Sequence, residues 1–239
     1  MLLKVKKRIL IHQKRNMSKD VKSPEELQQV EQVLSKSEQF IEKNQKQLLM
    51  AVSAVVLLIL LVLAFKNFYL VPREKVAANE IAKAQAAFAV DSFKVALNGN
   101  TDFAGFEEIA NDYSMTASGN VAVAYAGICY FKLGQYENAV KYLSKYDGDD
   151  NYFSVAVIGL IGDAQIELGK KEEAINYFEK AAEAKNEVLS ALYLKKAGIA
   201  YEALGKPNKA LEKYILIRDE YPRSMEASDI EKYIARLEK

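Results

Sequence analysis

One histidine and one cysteine in 239 residues leave little material for catalysis or metal binding. Cys129 has no second cysteine, which excludes an internal disulfide and a cysteine-built zinc site. His12 lies far from any candidate site, so no nucleophile in the large C-terminal part has an imidazole to activate it. Tryptophan is absent, and the aromatic content comes from 14 tyrosines and 10 phenylalanines. Only four prolines and eleven glycines interrupt the chain, which leaves room for long helices.

The net charge of +1 hides an asymmetry. Residues 1–47 carry eleven Lys/Arg against six Asp/Glu, whereas residues 72–239 carry 21 against 26. An acidic C-terminal part argues against nucleic acid as its partner. Between the two lies Leu48–Phe65, eighteen residues without a charge and with only Ser53 polar. As a helix this run spans about 27 Å, close to the hydrocarbon thickness of a bilayer. A core helix is seldom apolar on every side, and a cleaved signal peptide has a shorter apolar core near the N-terminus with small residues after it. The segment therefore reads as one uncleaved transmembrane helix over 48–71, with Lys43 and Lys46 at one end and Lys66, Phe68, Tyr69 and Arg73 at the other. The denser Lys/Arg of the N-terminal side, eleven in 47 residues against 21 in the 168 of 72–239, favours keeping that side in the cytoplasm, although the counts close to the span nearly balance.

Within 1–47, Ser23, Pro24 and Glu26 spell a helix start: a cap, a first-turn proline and a capping-box acid. Leu27, Val30, Leu34 and Ile41 form a thin apolar stripe behind it, suited to a helix that docks or lies at a membrane surface. The composition changes abruptly at Met17, which marks it as an alternative start of translation.

From 119 to 222 the chain repeats itself. Gly127, Gly162 and Gly198 recur at intervals of 35 and 36 residues, and so do Leu133, Leu168 and Leu204. Gly134, Gly169 and Gly205 keep the same intervals, as do Ala139, Ala174 and Ala210, and the large residues Leu143, Phe178 and Tyr214. Tyr130 and Tyr201 match, with Gln165 between them, and Pro222 stands where the earlier copies have Asn151 and Asn186. The Leu-Gly pair suits the end of a first helix, glycine taking the left-handed cap. Tyr136, Ala139, Val140 and Leu143 then share one face of a second helix. Such a hairpin cannot bury its own face, so its neighbours must stack on it. Upstream, residues 71–96 read as one long helix and 101–114 as a second, together a degenerate first repeat within 72–118. Residues 223–239 read as a capping helix that buries Ile230, Tyr233, Ile234 and Leu237.

Gly, Tyr, Leu-Gly, Ala, an aromatic and Pro, in this order and near a 34-residue period, resemble tetratricopeptide repeats. The fold class expected is all-α, a single transmembrane helix followed by a tetratricopeptide-repeat α-solenoid. In the order of its segments the chain resembles the ancillary subunit of the SecYEG translocon. That resemblance covers the architecture of residues 24–239, its specific motifs lie in 119–222, and the long N-terminal arm departs from it. It implies a repeat domain in the periplasm of a bacterial inner-membrane protein. It also implies as partners the SecYEG translocon, a periplasmic chaperone with a prolyl isomerase domain, and nascent secreted chains. The alternatives are a self-associating scaffold for envelope or division machinery and a cytoplasm-facing adaptor.

Nothing in the chain supports an enzyme, a cofactor or a metal. Gly162 and Gly169-Lys170 have the wrong interval for a phosphate loop and no Ser/Thr after the lysine. Asp147, Asp149 and Asp150 fit a solvated turn better than a calcium site, and Cys129 fits a buried packing role. The candidate site is a protein-binding concave face on the first helices of the hairpins: Ile128, Phe131, Asp163, Ile166, Lys195, Ile199 and Glu202. The lysine/asparagine clamp used by some tetratricopeptide proteins is missing, with Ala124 and Ile128 in its first-repeat positions.

Overall fold

The computed structural model describes residues 43–238, which fall into two compact units that part between Phe65 and Lys66. His12, Met17 and the helix expected to start at Ser23 lie outside the described residues. The first unit contributes helix α1, Gln45–Phe65, 21 residues with none buried. At 1.5 Å per residue α1 is about 32 Å long. Among the described residues nothing buries its leucines and valines, which an apolar medium would favour. Among the described residues it supplies the one stretch long and apolar enough to cross a membrane.

The second unit starts with a π-helical turn, Lys66–Leu70, and continues into α2, Val71–Ala89, with Pro72 in its first turn. Ala77, Ile81 and Ala84 of α2 are buried. The single helix expected over 71–96 is in fact two, α2 and the short α3, Phe93–Asn98. Asp91 takes φ +57°, and Asp91 and Ser92 donate their amides to the carbonyls of Phe88 and Ala87. This is a Schellman closure, with aspartate where glycine is usual. The helix expected over 101–114 also begins later, as α4, Phe106–Asp112. The Asn100 side chain accepts the amides of Asp102 and Phe103, which holds those residues in a turn instead.

Three hairpins follow: α5, Ala117–Lys132, with α6, Tyr136–Leu143; α7, Phe153–Glu167, with α8, Lys171–Ala182; and α9, Leu189–Ala203, with α10, Pro207–Glu220. Each first helix closes in the same way. Gly134, Gly169 and Gly205 sit at φ +73°, +75° and +69°. Each glycine amide and the amide after it donate back into the last turn, as Gly134 does to Phe131 and Gln135 to Tyr130. Ala139, Ala174 and Ala210 are fully buried where the second helix crosses the first. Glu226–Ser228 forms a 3-10 turn ahead of α11, Ile230–Leu237, so the expected terminal helix is shorter than 223–239. Ile230 and Ile234 of α11 are buried, and Tyr233 and Leu237 pack partly against the same core. The described residues contain no strand, only an isolated bridge between Gly99 and Ala104.

Candidate functional site

The first helices of the second and third hairpins face each other across a pocket of about 250 Å³. Ile166 of α7 and Ile199 of α9 form its walls and remain exposed, 36% and 47%. Phe178 of α8 forms the floor, with Ala200 and Ala203 beside it. At the rim Asp163 accepts two hydrogen bonds of 2.7 Å from Lys196 Nζ, which ties α7 to α9. The Lys196 ammonium also lies 5.6 Å from the centre of the Tyr193 ring and 5.8 Å from that of Phe178, so its charge is held in place from three sides. Exposed apolar walls over a buried apolar floor, with a fixed polar rim, can take an apolar side chain from an extended or partly folded polypeptide.

Of the seven residues expected on this face, Asp163, Ile166 and Ile199 line the pocket. Ile128 and Phe131 of α5 are half-buried against the core, and the Phe131 ring meets Tyr136 edge-on with centroids 5.4 Å apart. Lys195 and Glu202 are engaged with the C-terminal cap. Lys195 Nζ donates to Asp229 at 2.6 Å and lies 4.8 Å from the Tyr233 ring centre. That hydrogen bond holds the Asp229 carboxyl below its usual range. Glu202 accepts from the hydroxyl of fully buried Tyr214 at 2.6 Å and from Arg236 at 2.6 and 2.8 Å.

Lys196, Lys171, Phe178, Ala200 and Ala203 complete the pocket and were not expected on the binding face. The repeat register held a usable signal. Lys195 aligns with Ala124 and Gly159, which leave no room: Ala124 is fully buried, and a Cβ on Gly159 would strike the Tyr193 ring. Lys196 aligns with Tyr125 and Leu160, whose larger side chains are only half-buried.

Among the described residues no cluster of three or more His, Cys, Asp or Glu could hold a metal. Asp150 instead caps α7, accepting from the Ser154 hydroxyl at 2.7 Å and from the amides of Tyr152, Phe153 and Ser154. The hydroxyl bond foremost, with the amide bonds, lowers its carboxyl to about 2. Gly162 and Gly169 serve the repeat: one lies under Phe178, the other closes α7.

Tetratricopeptide repeat models match residues 155–187 and, separately, residues 125–146 and 193–224. Each match falls on one of the three hairpins, that on the first hairpin beginning partway along α5 at Tyr125. No curated protein matches the chain. Such repeats indicate a scaffold for protein–protein contacts, and modules of this kind are typically non-catalytic.

Proposed function

We propose that this tetratricopeptide-repeat chain is a single-pass membrane protein that holds protein partners in the groove between α7 and α9, on the periplasmic face of a bacterial inner membrane. Its partners in this reading are the SecYEG translocon, a membrane-anchored periplasmic chaperone with a prolyl isomerase domain, and secreted chains as they emerge. It acts as a chaperone accessory without chemistry of its own. The observation that carries the binding role is the exposure of Ile166 and Ile199 on facing helices of a repeat array. The apolar α1 supports the anchor. The order of segments, together with the greater density of Lys/Arg before α1, supports the orientation and the place beside the translocon.

Gentle-detergent purification of the full chain is expected to bring translocon subunits with it. Ile166→Asp with Ile199→Asp should reduce that yield at least tenfold while leaving the helical content unchanged, because both side chains already face solvent. Protease added to spheroplasts should remove the repeat unit. Protection of that unit from protease, or purification of only copies of the chain itself, would refute the reading in favour of a cytoplasmic adaptor or a self-associating scaffold respectively.

A further inference from the structure

The turns that lead into successive first helices each expose one large apolar side chain. Met115 precedes α5 by two residues, Tyr152 and Val188 occupy the N-cap positions of α7 and α9, and Met225 leads into the 3-10 turn before α11. They recur at intervals of 37, 36 and 37 residues and are 59–87% exposed. Capping does not require them there. Asp150 and Asn186, each two residues earlier, supply the oxygens that accept the first amides of α7 and α9. N-cap positions favour Ser, Thr, Asn and Asp, so Tyr152 and Val188 are unusual occupants.

Hydrogen bonds between neighbouring turns join the first three of them into one edge. Asn120 Nδ2 donates to the Asp147 carbonyl at 2.6 Å, and the Asp147 amide returns a bond to Asn120 Oδ1 at 2.9 Å. Asn186 Nδ2 donates to the Asn151 carbonyl at 2.5 Å. At the other end Glu74, in the first turn of α2, accepts from the Ser118 amide and hydroxyl, so the starts of α2 and α5 lie side by side. Arg73 donates to the Asp112 carbonyl and lies 4.9 Å from the Tyr113 ring centre. The chain thus enters the repeat unit at this edge.

Charge selects the occupant. Turn residues 144–152, 183–188 and 221–229 carry three Lys/Arg and seven Asp/Glu. Asp149 and Glu187, beside Tyr152 and Val188, are exposed and have no ion pair among the described residues. An anionic bilayer surface is repelled by such an edge, and a basic protein surface is drawn to it.

We infer that this edge is a second docking surface, separate from the groove, for a basic and partly apolar extramembrane segment of a neighbouring membrane protein. The inference rests on the membrane-anchored reading above. The test places a photo-crosslinking residue at Val188, and separately at Ile199, in the full chain within its native membranes. From Val188 the expected adduct is a membrane protein whose labelled peptide maps to a basic segment outside the bilayer. Its yield should fall at least threefold with Asp149→Lys and Glu187→Lys together, and likewise in about 0.5 M salt, where charges are screened beyond a few ångströms. Adducts only with lipid, only with a second copy, or none at all overturn the inference, as does a yield indifferent to charge reversal. Adducts at Ile199 alone would leave the groove reading standing while this one falls. Adducts at neither position would remove both.

Discussion

Gly162 lies directly beneath Phe178: a Cβ built on the glycine would come within 2.5 Å of the ring. The other hairpins repeat the relationship, with Gly127 under Leu143 at 2.6 Å and Gly198 under Tyr214 at 2.4 Å. One large side chain from each second helix thus sits on a glycine of the first. This spacing sets the closeness of the hairpin and, through it, the depth of the pocket that Phe178 floors.

Gly162→Ala should therefore be destabilising although alanine is the better helix former. The helix gains about 1 kcal/mol, but overpacking of a filled core costs about 1–3 kcal/mol. Phe178 cannot swing away, being 1% exposed and stacked against Tyr193 at 6.2 Å. Urea unfolding of the full chain in detergent, followed by helical circular dichroism, should show a lower midpoint. Adding Phe178→Leu should recover part of the loss, whereas an unshifted midpoint for Gly162→Ala would contradict the packing account.

Gly169 needs glycine for a different reason. A Cβ there would meet nothing within 4 Å, but φ is +75°. The cost of a substitution is conformational alone, about 1–2 kcal/mol for an ordinary residue in the left-handed region and less for asparagine. Gly169→Asn should unfold at higher urea than Gly169→Val. At Gly162 asparagine should do worse than alanine, since only size matters there. The same order of substitutions at both positions would show that one cause acts at both.

These two glycines also show what the sequence displays and what it conceals. The 35–36-residue interval marks both, because a close approach and a left-handed cap each demand glycine and little else. The end of α2 carries no such mark, since Asp91 makes the left-handed turn without a glycine. The choice between Lys195 and Lys196 is carried by the repeat register but not by amphipathic periodicity. α9 buries Ser190, Ala191, Tyr193, Leu194, Ala197, Gly198, Ala200 and Tyr201, which together cover most of its circumference. With so little amphipathic contrast, periodicity does not say which of two adjacent lysines faces the groove. Phe178 was legible as a core residue, but its second role as pocket floor depends on packing between hairpins.

Asp150 should make stability fall in acid. Its carboxyl is lowered in the folded chain to about 2 from 3.8. A depressed folded value contributes stability that is present above pH 3.8 and is lost as the pH falls from there through about 2. Asp150→Ala should cost about 1 kcal/mol at neutral pH, as the loss of a helix cap does. The gap between the two proteins should narrow steadily below pH 4. Paired urea titrations at pH 7, 4 and 2.5 measure it, and a constant gap would place the stabilisation elsewhere.

Cys129 should be unreactive until the repeat unit opens. It is fully buried in α5, and burial pushes its thiol up to about 12. At pH 8 almost no thiolate forms, and reagent has no path to the sulfur. Labelling with a maleimide or an aromatic disulfide should be negligible over hours in the folded chain and complete within minutes in denaturant. Rapid labelling of the native chain would mean that α5 and α6 separate readily.

Glu202 provides the clearest separation of binding from stability, because sequence places it on the binding face while its contacts belong to the cap. Its carboxylate receives the Tyr214 hydroxyl and Arg236, joining α9, α10 and α11. Glu202→Ala leaves a buried tyrosine hydroxyl without its acceptor, which costs about 1–3 kcal/mol. Arg236 is itself largely exposed, so its loss from the pair adds little. Unfolding of Glu202→Ala should therefore begin at lower urea, with partner capture in the folded protein unchanged. Adding Tyr214→Phe should recover stability, since no hydroxyl then remains to be satisfied. If Glu202→Ala abolishes capture at full stability, the residue belongs to the binding surface after all, and that surface extends past Ile199 towards α11.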